Sequence, residues 1–156
     1  MTAVVDVTGG PAVLQVLLVE DDPADATLIE DAFVAHALPA GLHHVPDGVE
    51  AMAFLRREEA HADAPRPDLI LLDLNMPRMS GQEVLAAVKT DEQLKAIPVI
   101  VFTTSAVDTD VLASYSAHAN AYVTKPMDLD SFGRVIAEIH RFYGRTVALP
   151  PPPPTE

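Results

Sequence analysis

The 156-residue chain contains no cysteine. Neither a disulfide framework nor a thiolate metal site is possible, and the absence fits a reducing, cytoplasmic compartment. Its apolar runs are strand-sized, far short of the ~20 residues of a membrane span. The start MTAVVDVTGG has no basic region of the kind that opens a signal peptide, so no membrane association is expected. Positive charge is scarce as well: 10 Lys and Arg stand against 23 Asp and Glu, a net charge of −13. Those ten are scattered along the sequence, which argues against a nucleic-acid surface, since displacing counterions needs a basic patch. What the chain does have is apolar residues, 49% of the total, enough for one real core in a single domain.

The organising stretch is residues 69 to 81, LILLDLNMPRMSG, an apolar run that ends on Asp73 and turns at once into a loop marked by Pro and Gly. Such a run reads as a buried parallel strand. In an open α/β sheet chemistry sits in the crevice beyond the carboxyl ends of the strands, and Asp73 is placed there.

Four further strand and helix pairs surround it. Residues 1 to 12, with Gly9, Gly10 and Pro11, read as a flexible leader. VLQVLLV, residues 13 to 19, reads as the first strand and runs into Glu20, Asp21, Asp22 and Pro23. A helix follows to about Ala37 on Leu28, Ile29, Ala32 and Phe33. A short strand near His43 to Val45 precedes a helix from about Gly48 to Glu59. After the Asp73 strand, a third helix buries Val84, Leu85 and Val88, and Pro98 opens the strand VIVFTT. Val107, Val111 and Tyr115 mark a fourth helix, AYVT a fifth strand, and residues 129 to about 143 a fifth helix. Five βα units with right-handed crossovers predict one doubly wound, five-stranded parallel sheet in the order 2-1-3-4-5, with no room for a second domain. The folded unit is expected over residues 13 to 145, and residues 146 to 156, ending in PPPPPTE, as a proline-rich polyproline II tail.

The strand ends carry the chemistry. The first delivers Glu20 and Asp21, the third Asp73, the fourth Thr103 and the fifth Lys125. Three carboxylates crowded in one crevice repel one another unless a cation sits among them. All-oxygen ligation of this kind suits Mg²⁺, with the backbone carbonyl of Asn75 as a further ligand. An Asp beside Mg²⁺ is able to attack a phosphoryl group and form an aspartyl phosphate, whose oxygens then find donors in the Thr103 hydroxyl and the Lys125 ammonium. Each residue alone has a plainer role open to it. Glu20 and Asp21 suit a helix N-terminus, Asp73 a turn cap, Thr103 a strand, Lys125 a solvated surface and Tyr122 half-buried packing. The conjunction at four strand ends favours the chemical reading. No pair of histidines shows ligand spacing next to a carboxylate, so His43, His44 and His118 carry no metal expectation.

With these residues in place, the chain resembles the receiver domains of two-component response regulators over residues 13 to 143. The matching motifs are the acidic pair in LLVEDDP, LILLDLNMP with the following Gly81, the Thr in VFTTSA and the Lys-Pro in YVTKP. The resemblance implies a CheY-like, flavodoxin-like fold and phosphorylation of Asp73. It implies Mg²⁺ held by Glu20 and Asp21, Thr103 as the residue that senses the phosphoryl group, and Lys125 paired with that group. It further implies a cis peptide before Pro126 and Tyr122 as an aromatic switch. The Glu-Asp order of the acidic pair departs from the commoner Asp-Asp and leaves metal binding credible. Ser105 and Met127 fall at variable positions of the pattern.

The second half, VFTTSAVDTDVLASYSAHANAYVTKP with the ending toward VALP, is similar to the small receiver-only regulators paired with bacterial and cyanobacterial phytochromes. A signalling switch fed by a sensor histidine kinase is therefore expected, acting on an unidentified downstream protein by contact and with no enzyme activity beyond its own phosphoryl transfer. Two other classes compete. A phosphatase of the haloacid-dehalogenase type wants a second Asp where Asn75 stands, with its acidic pair after the Lys, whereas here the pair comes first. A pseudo-receiver would normally have lost the acceptor or the acidic pair, and both are present. On the fifth helix, Phe132, Ile136, Ile139 and Tyr143 make one apolar stripe and Val135, Ile139 and Phe142 a second, opposite Arg134, Glu138, Arg141 and Arg145. An arc that broad exceeds the ~100° needed to cover a sheet. It predicts a homodimer through the fourth helix, fifth strand and fifth helix, unless the VALPP tail folds back over the surplus.

Overall fold

The computed structural model describes residues 2–5 and 13–154, so most of the expected leader and the last two residues of the tail lie outside the described residues. The sheet is built from β1 (Thr2–Val5), β2 (Leu14–Val19), β3 (Ala40–Val45), β4 (Leu69–Leu72), β5 (Val99–Thr103) and β6 (Ala121–Thr124). Its order is β1-β3-β2-β4-β5-β6, and β2 to β6 pair in parallel in the predicted order. The helices are α1 (Pro23–Ala35), α2 (Gly48–Arg56), α3 (Gly81–Thr90), α4 (Asp108–Ser116) and α5 (Leu129–Arg141).

The short runs LQVLLV, LILL and VIVFT become strands because both faces of the sheet are covered, which favours apolar side chains at nearly every position, Gln15 and Thr103 being the polar members. Alternate residues feed two cores. Leu17, Val19, Ile70, Leu72, Val99 and Val101 pack on one face against Met52 and Leu55 of α2 and Val84, Leu85 and Val88 of α3. Val16, Leu18, Leu71, Ile100 and Phe102 pack on the other against Ile29 and Phe33 of α1 and Phe132 and Ile136 of α5. Burying one such aliphatic side chain stabilises the fold by about 1.5–3 kcal/mol. The cores therefore hold the strand ends, and with them the crevice, on a rigid base.

Two terminal expectations are corrected. Residues 2–5, read as part of a flexible leader, form β1, which lies antiparallel to β3 with Thr2 opposite His43 and Val5 opposite Ala40. The pairing uses backbone groups that β3 leaves free on that side, and this needs no side-chain pattern. The tail is not detached either. After α5 the chain makes one wide π-type turn, Phe142–Thr146, and Leu149 packs against the core that holds Phe132 and Ile136. Pro150 and Pro152 then pass beside Pro67, Ile97 and Pro98, under the amino ends of β4 and β5. The tail thus covers the base of the sheet and leaves Phe142, at 49% exposure, open on the α5 side.

Candidate functional site

The crevice is assembled at the carboxyl ends of β2, β4, β5 and β6. The ladder continues one residue past β2, β4 and β6: Glu20 N–H donates to Val45 O at 3.1 Å, Asp73 N–H to Val19 O at 3.0 Å and Lys125 N–H to Thr103 O at 2.7 Å. These bonds fix the backbones that carry the side chains. Carboxylate oxygens of Glu20, Asp21 and Asp73 lie within 4.8 Å of one another, with Glu20 and Asp73 buried and Asp21 exposed. The N-cap of α1 is Asp22, whose Oδ1 accepts from Ala24 N–H at 2.9 Å, so the capping bond is made by neither Glu20 nor Asp21. Asp73 does hold its own turn, since Oδ1 accepts from Leu74 N–H at 2.9 Å. Gly81 closes that turn from behind: a Cβ there would fall 2.1 Å from Asp73 O, so only glycine lets α3 start so close to the acceptor.

The electrostatics centre on Glu20. Burial pushes its carboxyl up to about 7, with the Asp73 charge adding to the rise and Lys125 opposing it. One Glu20 oxygen accepts from Lys125 Nζ at 2.5 Å and the other from Asp22 N–H at 3.1 Å. For Lys125 burial works against the charge, but hydrogen bonds to Asp25 and Glu20, with the charges of Glu20 and Asp73, outweigh it and raise its pKa. The lysine is therefore a cation held at the edge of the acidic cluster.

Lys125 Nζ donates to Glu20 and, at 2.8 Å, to Asp25, rather than to Asp73. Asp25 was not foreseen, although its place one turn along from Asp21 at the start of α1 was the signal. The bond before Pro126 is trans, not cis. Trans is the intrinsically favoured form of an X–Pro bond by about 0.5–1 kcal/mol. Asn75 is exposed in the loop beyond Leu74, at the mouth of the crevice.

Thr103 is fully buried at the end of β5, its Oγ1 accepting from Ser105 N–H at 3.5 Å. Tyr122 is half-buried and its hydroxyl donates to Ser105 O at 2.8 Å. Burial raises the Tyr122 pKa, the bond to Ser105 opposes that, and the charges of Asp110 and Asp73 add to it, so the phenol stays protonated. Ser105 Oγ donates to Asp110 Oδ2 at 2.6 Å, and Tyr122 N–H donates to Tyr115 Oη at 3.1 Å. Ser105, at a position the sequence pattern leaves variable, thus joins Thr103, α4 and Tyr122 in one network.

The fold and this crevice define a receiver. The model of the response regulator receiver domain matches residues 16–137, and the chain belongs to that family. "Response regulator Rcp1" of Synechocystis sp. is 44% identical over 135 residues, covering 86% of this chain and 92% of that protein. The solved structure of the phosphorylated cyanobacterial phytochrome response regulator RcpA superposes with a TM-score of 0.85 at 45% identity, covering 90% of this chain and 100% of that one. The Mn²⁺-bound form of Rcp1 superposes with a TM-score of 0.82 at 43% identity, covering 88% and 99%. Receiver domains bind a divalent cation, and the donor set here fits Mg²⁺: three carboxylates whose oxygens converge, with one of them at the solvent side. No helix among the described residues is long and apolar enough to cross a membrane.

Proposed function

We propose that this receiver is a phosphorylation switch in which Asp73 accepts a phosphoryl group from the phosphohistidine of a sensor histidine kinase. The observation that carries the reading is the convergence of Asp73, Glu20 and Asp21 within 4.8 Å at the mouth of two packed cores. An Asp73 oxygen forms a bond to phosphorus while the phosphorus–nitrogen bond to the kinase histidine breaks, the nitrogen keeping the electron pair. Glu20, Asp21 and Asp73 would hold the divalent cation, which when bound would neutralise charge on the phosphoryl oxygens. Lys125 supplies a second, permanent cation, and reaching the new group requires it to exchange one of its two carboxylate partners. Thr103 supplies a neutral donor. The relatives described as phytochrome response regulators support a phytochrome-type kinase as the phosphoryl source.

The switch runs from Thr103 through Ser105 to Tyr122, and its readout is the face made by α4, β6 and α5. Leu112, Tyr115 and Phe142 are exposed there by 69%, 48% and 49%, which supports contact with a second copy or a downstream protein. The deciding experiment on the acceptor is incubation with acetyl phosphate and Mg²⁺, read by intact mass. The wild type should gain one phosphoryl group and Asp73→Asn none. An adduct that persists in the variant removes Asp73 from the reading.

A further inference from the structure

The ten Lys and Arg are scattered in sequence, yet the fold gathers three of them at the base of the sheet, far from the acidic crevice. Arg56 and Arg57 at the end of α2 and Arg66 in the loop before β4 line one open cleft of about 740 Å³. Its floor is apolar, from Leu55, Leu94 and Pro67, and Pro152 to Pro154 of the tail form its rim. No acidic side chain lines it, in a chain of net charge −13. Among the described residues none of the three arginines forms an ion pair.

Two details mark the cleft as more than a solvated face. Arg66 is half-buried, and Nη1 donates to Gln93 O at 2.6 Å, which fixes the plane of its guanidinium against the cleft wall. Burial lowers its pKa, and the nearby Arg57 charge lowers it further, while Asp68 outside the cleft lining opposes both. Arg57 caps α2 with φ 55 and ψ 46, a left-handed conformation in which glycine is the unstrained choice. An arginine there adds backbone strain and places a second cation beside Arg66. Like charges held together over an apolar floor gain stability from an anion that both fork geometries are able to grip.

We propose that this cleft binds a polyphosphate-bearing ligand, its phosphates on Arg57 and Arg66 with Arg56 at the entrance. The source is either a nucleotide, whose ring would lie on the leucine and proline floor, or an inorganic polyphosphate. The test uses the full chain in chelator-containing, cation-free buffer, so that the Asp73 crevice takes no part and failure here says nothing about phosphorylation. ATP and tripolyphosphate are titrated separately, read by calorimetry and by amide resonances. Saturable binding is expected, with shifts at Arg57, Arg66 and Gln93 and a loss of about tenfold in affinity in Arg66→Gln and in Arg57→Gly, the range for one charge-assisted hydrogen bond. Arg57→Gly relieves strain as it removes the charge, so a loss there is not a loss of fold. ATP binding more tightly than tripolyphosphate supports a nucleotide source, and equal affinity supports an inorganic one. No saturable binding of either, or equal affinity in wild type and both variants, overturns the proposal.

Discussion

Glu20 is the residue where burial and function oppose each other. Its carboxyl rises from 4.5 to about 7 on folding, so the native chain holds that proton more tightly than the unfolded chain does. The ionised form consequently costs stability, a cost that builds between those two values and is complete above the upper one. A divalent cation needs the ionised form, and below about 7 it has to displace the proton. Mg²⁺ affinity should therefore fall as pH drops through that value, with up to one proton released per ion bound. Calorimetry in two buffers of different ionisation enthalpy measures the release directly. Glu20→Gln should bind Mg²⁺ more weakly and release no proton, and unchanged release in that variant would assign the proton to another group. Asp25 shows what the sequence hid at this scale: a lysine's partner is chosen by three-dimensional distance, and Asp25 reaches Lys125 because α1 begins at Pro23, three residues past Glu20.

At the scale of elements, Tyr122 on β6 is tied to the loop after β5 through Ser105, and β6 is tied to α4 through Tyr115. Ser105 is bonded in turn to Asp110 in the first turn of α4. Drawing Thr103 toward a group on Asp73 would pull on Ser105, and the Tyr122 hydroxyl would lose its acceptor. A two-state element biased in this way is what a phosphoryl switch requires. Beryllofluoride with Mg²⁺ should therefore shift the resonances of Tyr122, Ser105 and α4 together, and Ser105→Gly should not abolish labelling of Asp73. A spectrum unchanged across α4 would exclude this route.

Only the latter half of β3 was read, because Gly41, His43 and His44 interrupt its apolar run. β2, β4 and β5 were legible because two-sided burial demands continuous apolar runs, and Glu20, Asp21, Asp73, Thr103 and Lys125 were legible because each stands at or just past a strand end. β1 was not, since an edge strand needs only free backbone groups on its neighbour. That the VALPP tail folds back was one of the two readings of the sequence, but the place where it docks was hidden for a related reason. Prolines carry no periodicity, and its attachment rests on Leu149 and on Pro67 and Pro98, which are distant in sequence.

At the scale of the whole molecule, the reading as a homodimer turns on what covers the broad apolar arc of α5. Val135, Ile139 and Tyr143 are half-buried by the protein's own core, whereas Phe142 packs edge to face on Tyr143 at 5.3 Å and stays 49% exposed. Phe142→Asp should shift sedimentation from dimer to monomer at tens of micromolar, on the order of weak-dimer dissociation constants. Truncation after Gly144 should leave the dimer in place, because the tail lies under the sheet rather than along α5. A wild type that is monomeric both with and without beryllofluoride would defeat the reading.

The antiparallel strand β1 has a bearing on how large such an assembly becomes. A parallel sheet ordinarily ends in two rows of unpaired amides and carbonyls, one on each flank, and two sticky flanks permit chains of molecules to grow without limit. Here Thr2–Val5 occupies the flank of β3 and moves that edge outward to β1, so the sheet is bounded by two strands of only four residues each, β1 and β6. Edges that short offer another chain few backbone groups to pair with, which disfavours edge-to-edge growth.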